Sequence, residues 1–584
     1  MHNRLILAGL AATGGLLTTA FLQTAVAVAD TAGADAFTIG GYTFDPQLAG
    51  GGEGFDQVAT LTSSPPLLEL GGGTALGLPL ASQDFNVYDP SSGTELGSIQ
   101  GNETILSLFG LTNAEFTVAS DSPADGATTA LPSVNSVYDV FNLGNGYENV
   151  YVATPDVTVD GVTTPGTVTD TFVTPSGNTD LSSLFDFNAA NPLNPGDAFT
   201  GLDASGITGA PDAFSIGGLT LDPISAAGGE GFDTIAPLAT AAPFLEIGGS
   251  SLGDPATGGN DLATQSFDVY SGTGSSAAEI GTINTGVDVT NLFGLTNTQL
   301  IVTGVTPDGA DTTGLPAVGS IYDATNLGNG YENVYTAVPG ADGPVTDTLV
   351  TPYGNINLDS LFGSVNYANP LEPGDALTGL QAGDSAIGAD AFSLGGFTFD
   401  PTLVSGAEGF TPVEQLVGAP PLLDLGGGTP TIFGATLSLA EQNFNIYDGS
   451  TAADQIGSIT TNDQVTNLLG LVNTEFTVTG HSLLPDAPAG AELPTDGSVY
   501  DVLNIGGGIE NIYTAIPGVD SAAAQISDIL ATPFGNVDLS DLFGGIDATS
   551  LLNPGDAFDA LTSGLAEAGA GAATAIDPLA FLGL

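Results

Sequence analysis

The strongest constraint on this chain is that its sequence repeats three times, so that one supersecondary arrangement has to be used three times over. A phrase running from Asp35-Ala36-Phe37 to Pro46 returns from Asp212-Ala213-Phe214 to Pro223 and from Asp390-Ala391-Phe392 to Pro401. A Pro-Gly-Asp-Ala phrase closes each copy, in Asn194 to Phe199, Glu372 to Leu377 and Asn553 to Phe558. The copies run over 30–201, 212–380 and 390–560, joined by Gly/Ala/Asp linkers and followed by an Ala/Gly-rich tail at 561–584. Modules of about 180 residues are each long enough to bury a core.

The local pattern inside a copy is that of β-structure. Phe37-Thr38-Ile39 and Tyr42-Thr43-Phe44 flank Gly40-Gly41, and two glycines accept the positive φ angles of a two-residue hairpin turn. That turn pairs Ile39 with Tyr42, Thr38 with Thr43 and Phe37 with Phe44, with the large apolar residues on one face and the threonines on the other. Phe214 to Leu221 and Phe392 to Phe399 repeat the pattern, with Ser215/Thr220 and Ser393/Thr398 on the polar face. A second hairpin is predicted around Gly144-Asn145-Gly146, Gly328-Asn329-Gly330 and Gly506-Gly507-Gly508. It sets Asn142 opposite Glu148, Asn326 opposite Glu332 and Asn504 opposite Glu510 unless a bulge shifts the register. Further strand-like phrases recur at Phe85 to Tyr88 and Glu115 to Val118, and short helical turns are expected at Leu106 to Phe109, Leu181 to Phe185 and Leu539 to Phe543. Many short strands with regular turn signals predict a mainly β protein of three tandem sandwich or barrel-like modules, with a β-solenoid as the alternative.

Composition narrows the chemistry. His2 and Arg4 precede an uncharged apolar stretch ending in Ala27-Val28-Ala29, which reads as a cleavable secretory signal over 1–29. The chain has one Lys or Arg in total, and it is Arg4; all 66 Asp and Glu lie after position 29. Cleavage therefore leaves 66 acidic residues against no lysine or arginine, a formal charge of −66. Nucleic acid and anionic membranes, which are held by cationic side chains, are poor partners for such a chain. Basic extracellular or cell-envelope partners and cations suit it better. Cysteine is absent, which excludes disulfides, thiolate metal sites and cysteine nucleophiles. No apolar run of membrane-spanning length follows the signal.

Acidic positions that recur in all three copies are the candidate site residues. Glu53, Glu230 and Glu408 lie in Glu-Gly-Phe, after Gly in the first two copies and after Ala in the third; Asp139, Asp323 and Asp501 follow a tyrosine; Glu148, Glu332 and Glu510 precede an asparagine. Carboxylate and amide oxygens of this kind could ligate calcium, which makes Asp139, Glu148, Asp323, Glu332, Asp501 and Glu510 the candidate ligands. The competing expectation is that these acids bond backbone groups at turns and keep the surface solvated. Catalysis has thin support. His481, in Thr479-Gly480-His481-Ser482, belongs to one copy only and reads as an exposed loop residue rather than a triad member. Glycoside hydrolysis by paired carboxylates needs no other residue type and is the alternative enzymatic reading.

The phrases Ser136-Val137-Tyr138-Asp139, Gly146-Tyr147-Glu148-Asn149-Val150-Tyr151 and Val350-Thr351-Pro352-Tyr353-Gly354-Asn355, together with the Ala-rich leader, resemble Gly/Ala/Asp-rich secreted or cell-surface repeat proteins of mycobacteria and related actinobacteria. That resemblance implies location rather than activity. The chain lacks the N-terminal Pro-Glu helical domain of the PE/PPE-type proteins with which such sequences are loosely grouped. The expectation is a secreted, non-enzymatic structural or interaction protein presenting three repeated modules, with a carbohydrate-active hydrolase and a calcium-stabilised adhesin-like protein as alternatives.

Overall fold

The structure, a computed structural model, describes residues 33–563 apart from short internal stretches, of which 359–370 and 539–551 are the longest. The protein is mainly β: three curled antiparallel sheets, each a half-barrel, one per module. This is the barrel-like alternative of the sequence reading rather than a solenoid. The first sheet contains β1 (Phe37–Ile39), β2 (Tyr42–Gln47), β3 (Thr60–Ser64), β4 (Leu68–Gly72), β5 (Ser82–Tyr88) and β6 (Glu95–Leu108). It continues through β7 (Leu111–Pro123), β8 (Val137–Asn142), β9 (Glu148–Ala153), β10 (Val168–Thr174) and β11 (Gly177–Asp180). The spatial order is β1-β2-β5-β6-β7-β8-β9-β10-β11, with β4 paired to β6 and β3 to β4, and the other two modules repeat it.

The opening hairpin has the predicted register in all three copies: Phe37 faces Phe44, Phe214 faces Leu221 and Phe392 faces Phe399. Its turn glycines take positive φ, +58° at Gly40 and +84° at Gly41, with near-identical values at 217/218 and 395/396. The apolar face joins a phenylalanine-rich core lined by Phe37, Phe44, Phe85, Phe116 and Tyr138, and the hydroxyls of Thr38 and Thr43 bond each other at 2.9 Å on the other face. Gly217 is required twice over, because a Cβ there would lie 2.7 Å from Tyr322 Cε1 and the backbone sits at φ +58°. Gly217→Ala is expected to cost about 2 kcal/mol through strain and overpacking, read as a lowered midpoint in chemical denaturation.

Leu106 to Leu108, expected as a helical turn, lies in β6, whose second half pairs with β4. Residues 183–185 and 539–543 of the other two expected helical turns lie outside the described residues. The long β6 strand serves two neighbours in succession: Ser82 to Tyr88 pair with its first half and Leu68 to Gly72 with its second. Tertiary pairing along the whole strand overrides the local Leu-Ser-Leu-Phe pattern.

The modules interlock. The closing phrase, read in the sequence as the end of its own copy, packs on the next one. Pro195–Phe199 forms a 3-10 turn whose Phe199 ring stacks on Phe214 of module 2 at 4.1 Å, and Leu193 bridges to Ile235. Pro373–Leu377 does the same on module 3: Leu377 shares a core with Phe392, and Leu371 bridges to Val413. The third phrase begins α1 (Gly555–Ser563), which returns to module 1. Phe558 stacks on Phe37 at 4.2 Å and on Phe55 at 5.3 Å, and Leu552 bridges to Val58. Module 1 thus plugs module 2, module 2 plugs module 3, and module 3 closes the cycle on module 1. Leu70 and Leu106, Leu245 and Ile247, and Leu423 and Leu425 come from the three modules in turn and meet in one central apolar cluster. Such burial is the main stabilising term available to a chain without disulfides.

Candidate functional site

Strand alternation divides the recurring acids between the two faces of each sheet. Asp139 pairs with Tyr151 while Glu148 pairs with Asn142, three register positions away. An odd offset puts Asp139 and Glu148 on opposite faces of the β8–β9 hairpin, so the two cannot share one cation. The same holds for Asp323 and Glu332 and for Asp501 and Glu510. The expected pairing of Asn142, Asn326 and Asn504 with the three glutamates is present. In module 3 the bulge falls just after Asn504 and leaves that pair in register.

The Asn–Glu pair is the polar rim of the socket that receives the closing phrase. Asn326 Nδ2 donates to the Asp197 carbonyl at 2.8 Å and to Thr200 Oγ1 at 3.0 Å, while the Gly201 N–H donates to the Glu332 carboxylate. In module 3, Asn504 donates to the Asp375 carbonyl at 3.3 Å and the Gly379 N–H donates to Glu510 at 2.7 Å. Thr298 and Thr474 hydroxyls hold the Pro195 and Pro373 carbonyls, each at 2.9 Å. In module 1, Asn142 donates to the Asp556 carbonyl at 3.0 Å, but the plug continues as helix and Glu148 Oε1 is buried without a hydrogen-bond partner. Burial pushes Glu148 and Glu332 up to about 7. Asn326→Ala removes two bonds to the plug and is expected to cost about 1–2 kcal/mol, measured by thermal unfolding.

The aspartates occupy the opposite face, and they are not at solvated turns. Asp139, Asp323 and Asp501 lie in strands with no solvent exposure. Each accepts an amide hydrogen bond from the neighbouring strand, from Asn113 at 2.8 Å, Asn297 at 2.7 Å and Asn473 at 2.7 Å. A second rung repeats the pairing: Asn149 to Asp170 and Asn333 to Asp347, both at 2.6 Å, and Asn511 to Asp528. These ladders line the seams between modules. At the first seam Glu115 of module 1 accepts the Thr240 hydroxyl and the Ala242 N–H of module 2, the latter at 3.0 Å. Phe141 meets Phe244 at 4.4 Å beside them.

Among the described residues these carboxyls have no cationic neighbour. Among the described residues the only basic side chain is His481, whose Nδ1 lies 2.7 Å from Asp496 on the exposed surface. Desolvation therefore dominates: it pushes Glu115, Asp139 and Asp501 well above the ordinary carboxyl range, and nearby Glu246, Glu115 and Glu475 respectively add to the effect. Glu103, Glu246 and Asp463 rise to about 8. A buried carboxyl without a counter-ion keeps its proton, because the neutral form is the cheaper one to bury.

The second seam is built differently. Gln299 stands where modules 1 and 3 have Glu115 and Glu475. Gly418 stands where module 2 has Thr240, and a Cβ on Gly418 would run into the Gln299 amide. The chain therefore supplies its own precedent for replacing a seam carboxyl by an amide, and Glu115→Gln is expected to raise the melting temperature at pH 8 while changing it little at pH 4.

The remaining candidates are placed as follows. Glu53, Glu230 and Glu408 are exposed and bridge to Gln47, Ile224 and Thr402. Each lies near a buried aspartate, Asp45, Asp222 or Asp400, whose carboxyl is raised first by burial and then by these neighbours. Among the described residues no three His, Asp or Glu side chains are arranged to hold a metal ion. His481, expected in a loop, sits within a strand opposite Ile459, and Ser482, next in that strand, points to the other face. No helix among the described residues is long and apolar enough to cross a membrane. No family, curated protein or solved structure matches the chain.

Proposed function

We propose that this chain is a secreted, non-enzymatic structural or interaction protein of the cell surface or extracellular space, whose three modules present one surface three times around a common centre. The observation that carries this reading is the cyclic docking of the closing phrases about a shared leucine core. A body that carries three copies of one module turns weak contacts with a repetitive partner into avidity. The recurring polar residues are used internally, the Asn–Glu pairs in sockets and the Asn–Asp ladders in seams, and this favours architecture over catalysis. The charge of the exposed surface suits a basic partner.

The full chain should bind an immobilised basic polypeptide saturably, with binding lost in high salt, and should turn over no member of a polysaccharide panel. Glycan turnover abolished by Glu148→Gln, Glu332→Gln and Glu510→Gln together would overturn the reading in favour of a carboxylate hydrolase. Equal binding to neutral and basic surfaces would overturn the choice of partner.

A further inference from the structure

The socket of module 1 differs from the other two in how its plug is connected. Phe199 enters module 2, and Leu377 enters module 3, close in sequence to the first strand of the module each fills, Phe214–Ile216 and Phe392–Leu394. The plug of module 1 comes from the far end of the chain, and the hydrogen bond from Asn142 to the Asp556 carbonyl spans 414 residues. The cycle is therefore closed by one joint that no neighbouring peptide link enforces. Opening that joint leaves the module 1 socket empty and the plug free, while the shared apolar core still holds the modules together.

We propose that this joint exchanges in trans, with helix Gly555–Ser563 of one copy seated in the module 1 socket of a second copy of this chain, so that molecules associate head to tail. Two observations support it independently of any partner. A socket filled from another module is what the fold already uses twice, at modules 2 and 3, so an exchanged plug makes only contacts that exist within one chain. The plug is also a nine-residue helix, too short to be stable alone, and it depends on the socket for its structure whichever chain provides that socket. Plug and socket are different surfaces, which makes the contact heterologous, and a heterologous contact propagates into larger rings or open chains. Concentration then sets the balance between closed monomers and assemblies.

The test uses the absence of native cysteine. Val58 and Leu552 exchange two backbone hydrogen bonds, at 2.9 and 3.0 Å, a pairing whose Cα separation suits a disulfide. Val58→Cys and Leu552→Cys are made as separate chains, mixed at high concentration, warmed briefly to open the joint, cooled and oxidised. Exchange predicts a covalent heterodimer on non-reducing electrophoresis that fades when the mixture is diluted before warming. Absence of heterodimer, with the double variant still closing on itself within one chain, would overturn the proposal. Sedimentation of the unaltered protein provides a check free of substitutions: dimers and larger species that grow with concentration support exchange, and a monomer at every concentration contradicts it.

Discussion

Phe199→Ala is expected to destabilise module 2 by about 3–5 kcal/mol, although Phe199 precedes that module in the chain. The ring is 2 % exposed, stacks on Phe214 at 4.1 Å and lies 5.7 Å from Phe232. Truncation removes its burial and leaves a cavity that the rigid hairpin cannot fill. Hydrogen exchange locates the damage. Protection should fall in Phe214–Ile216 and Leu219–Ile224 and persist in Phe37–Ile39 and Tyr42–Gln47. Loss confined to module 1 would contradict the interlocked arrangement.

The second large effect is on pH dependence, and its direction is opposite to ordinary acid denaturation. Glu246 and Asp463 have folded values of about 8 because of burial, and Asp170 and Asp222 are raised to about 6 by burial in the first place. An unfolded chain releases these protons near pH 4. Between the two values the folded state holds more protons than the unfolded one, so stability is complete below about pH 4 and falls as pH rises towards 8. For a fully buried carboxyl raised that far the loss is on the order of 4–5 kcal/mol. Mutual repulsion among 66 acidic side chains acts in the same direction. The melting temperature should therefore be highest near pH 4–5 and fall through pH 8. Glu246→Gln and Asp463→Asn should flatten that fall. A melting temperature that rises between pH 5 and 8 would show that these groups are ionised in the folded protein.

The hairpins were legible in the sequence because their determinants are local. Two glycines with positive φ and alternating large residues suffice to set Phe37 against Phe44, and the Gly-Asn-Gly loop sets Asn326 against Glu332. The plugs were not legible, since a Pro-Gly-Asp-Ala phrase carries no mark of which copy it touches. One signal was present: Phe199 and Leu377 precede Phe214 and Phe392 by the same interval, whereas no such phrase stands at that interval after Phe558. The burial of the acids is not legible in the sequence, for a physical reason. Charged residues are rarely buried without a partner, so Asp139 and its equivalents read as solvated turn residues. Their burial depends on seams between modules, which sequence periodicity within a copy does not reveal. The asparagines that serve them, Asn113, Asn297 and Asn473, recur 26, 26 and 28 residues before their aspartates, and that recurrence was the available clue.

The closed cycle of plugs is tested most directly by shortening the chain to end at residue 551 and mapping hydrogen exchange in what remains. The cut lies in module 3 by sequence, but the helix it removes packs on Phe37 and Phe55. Protection should be lost around Phe37–Ile39 and Tyr42–Gln47 of module 1 and kept across Val499–Gly506 and Ile509–Ile516 of module 3. Loss in module 3 with module 1 unchanged would contradict the closed cycle.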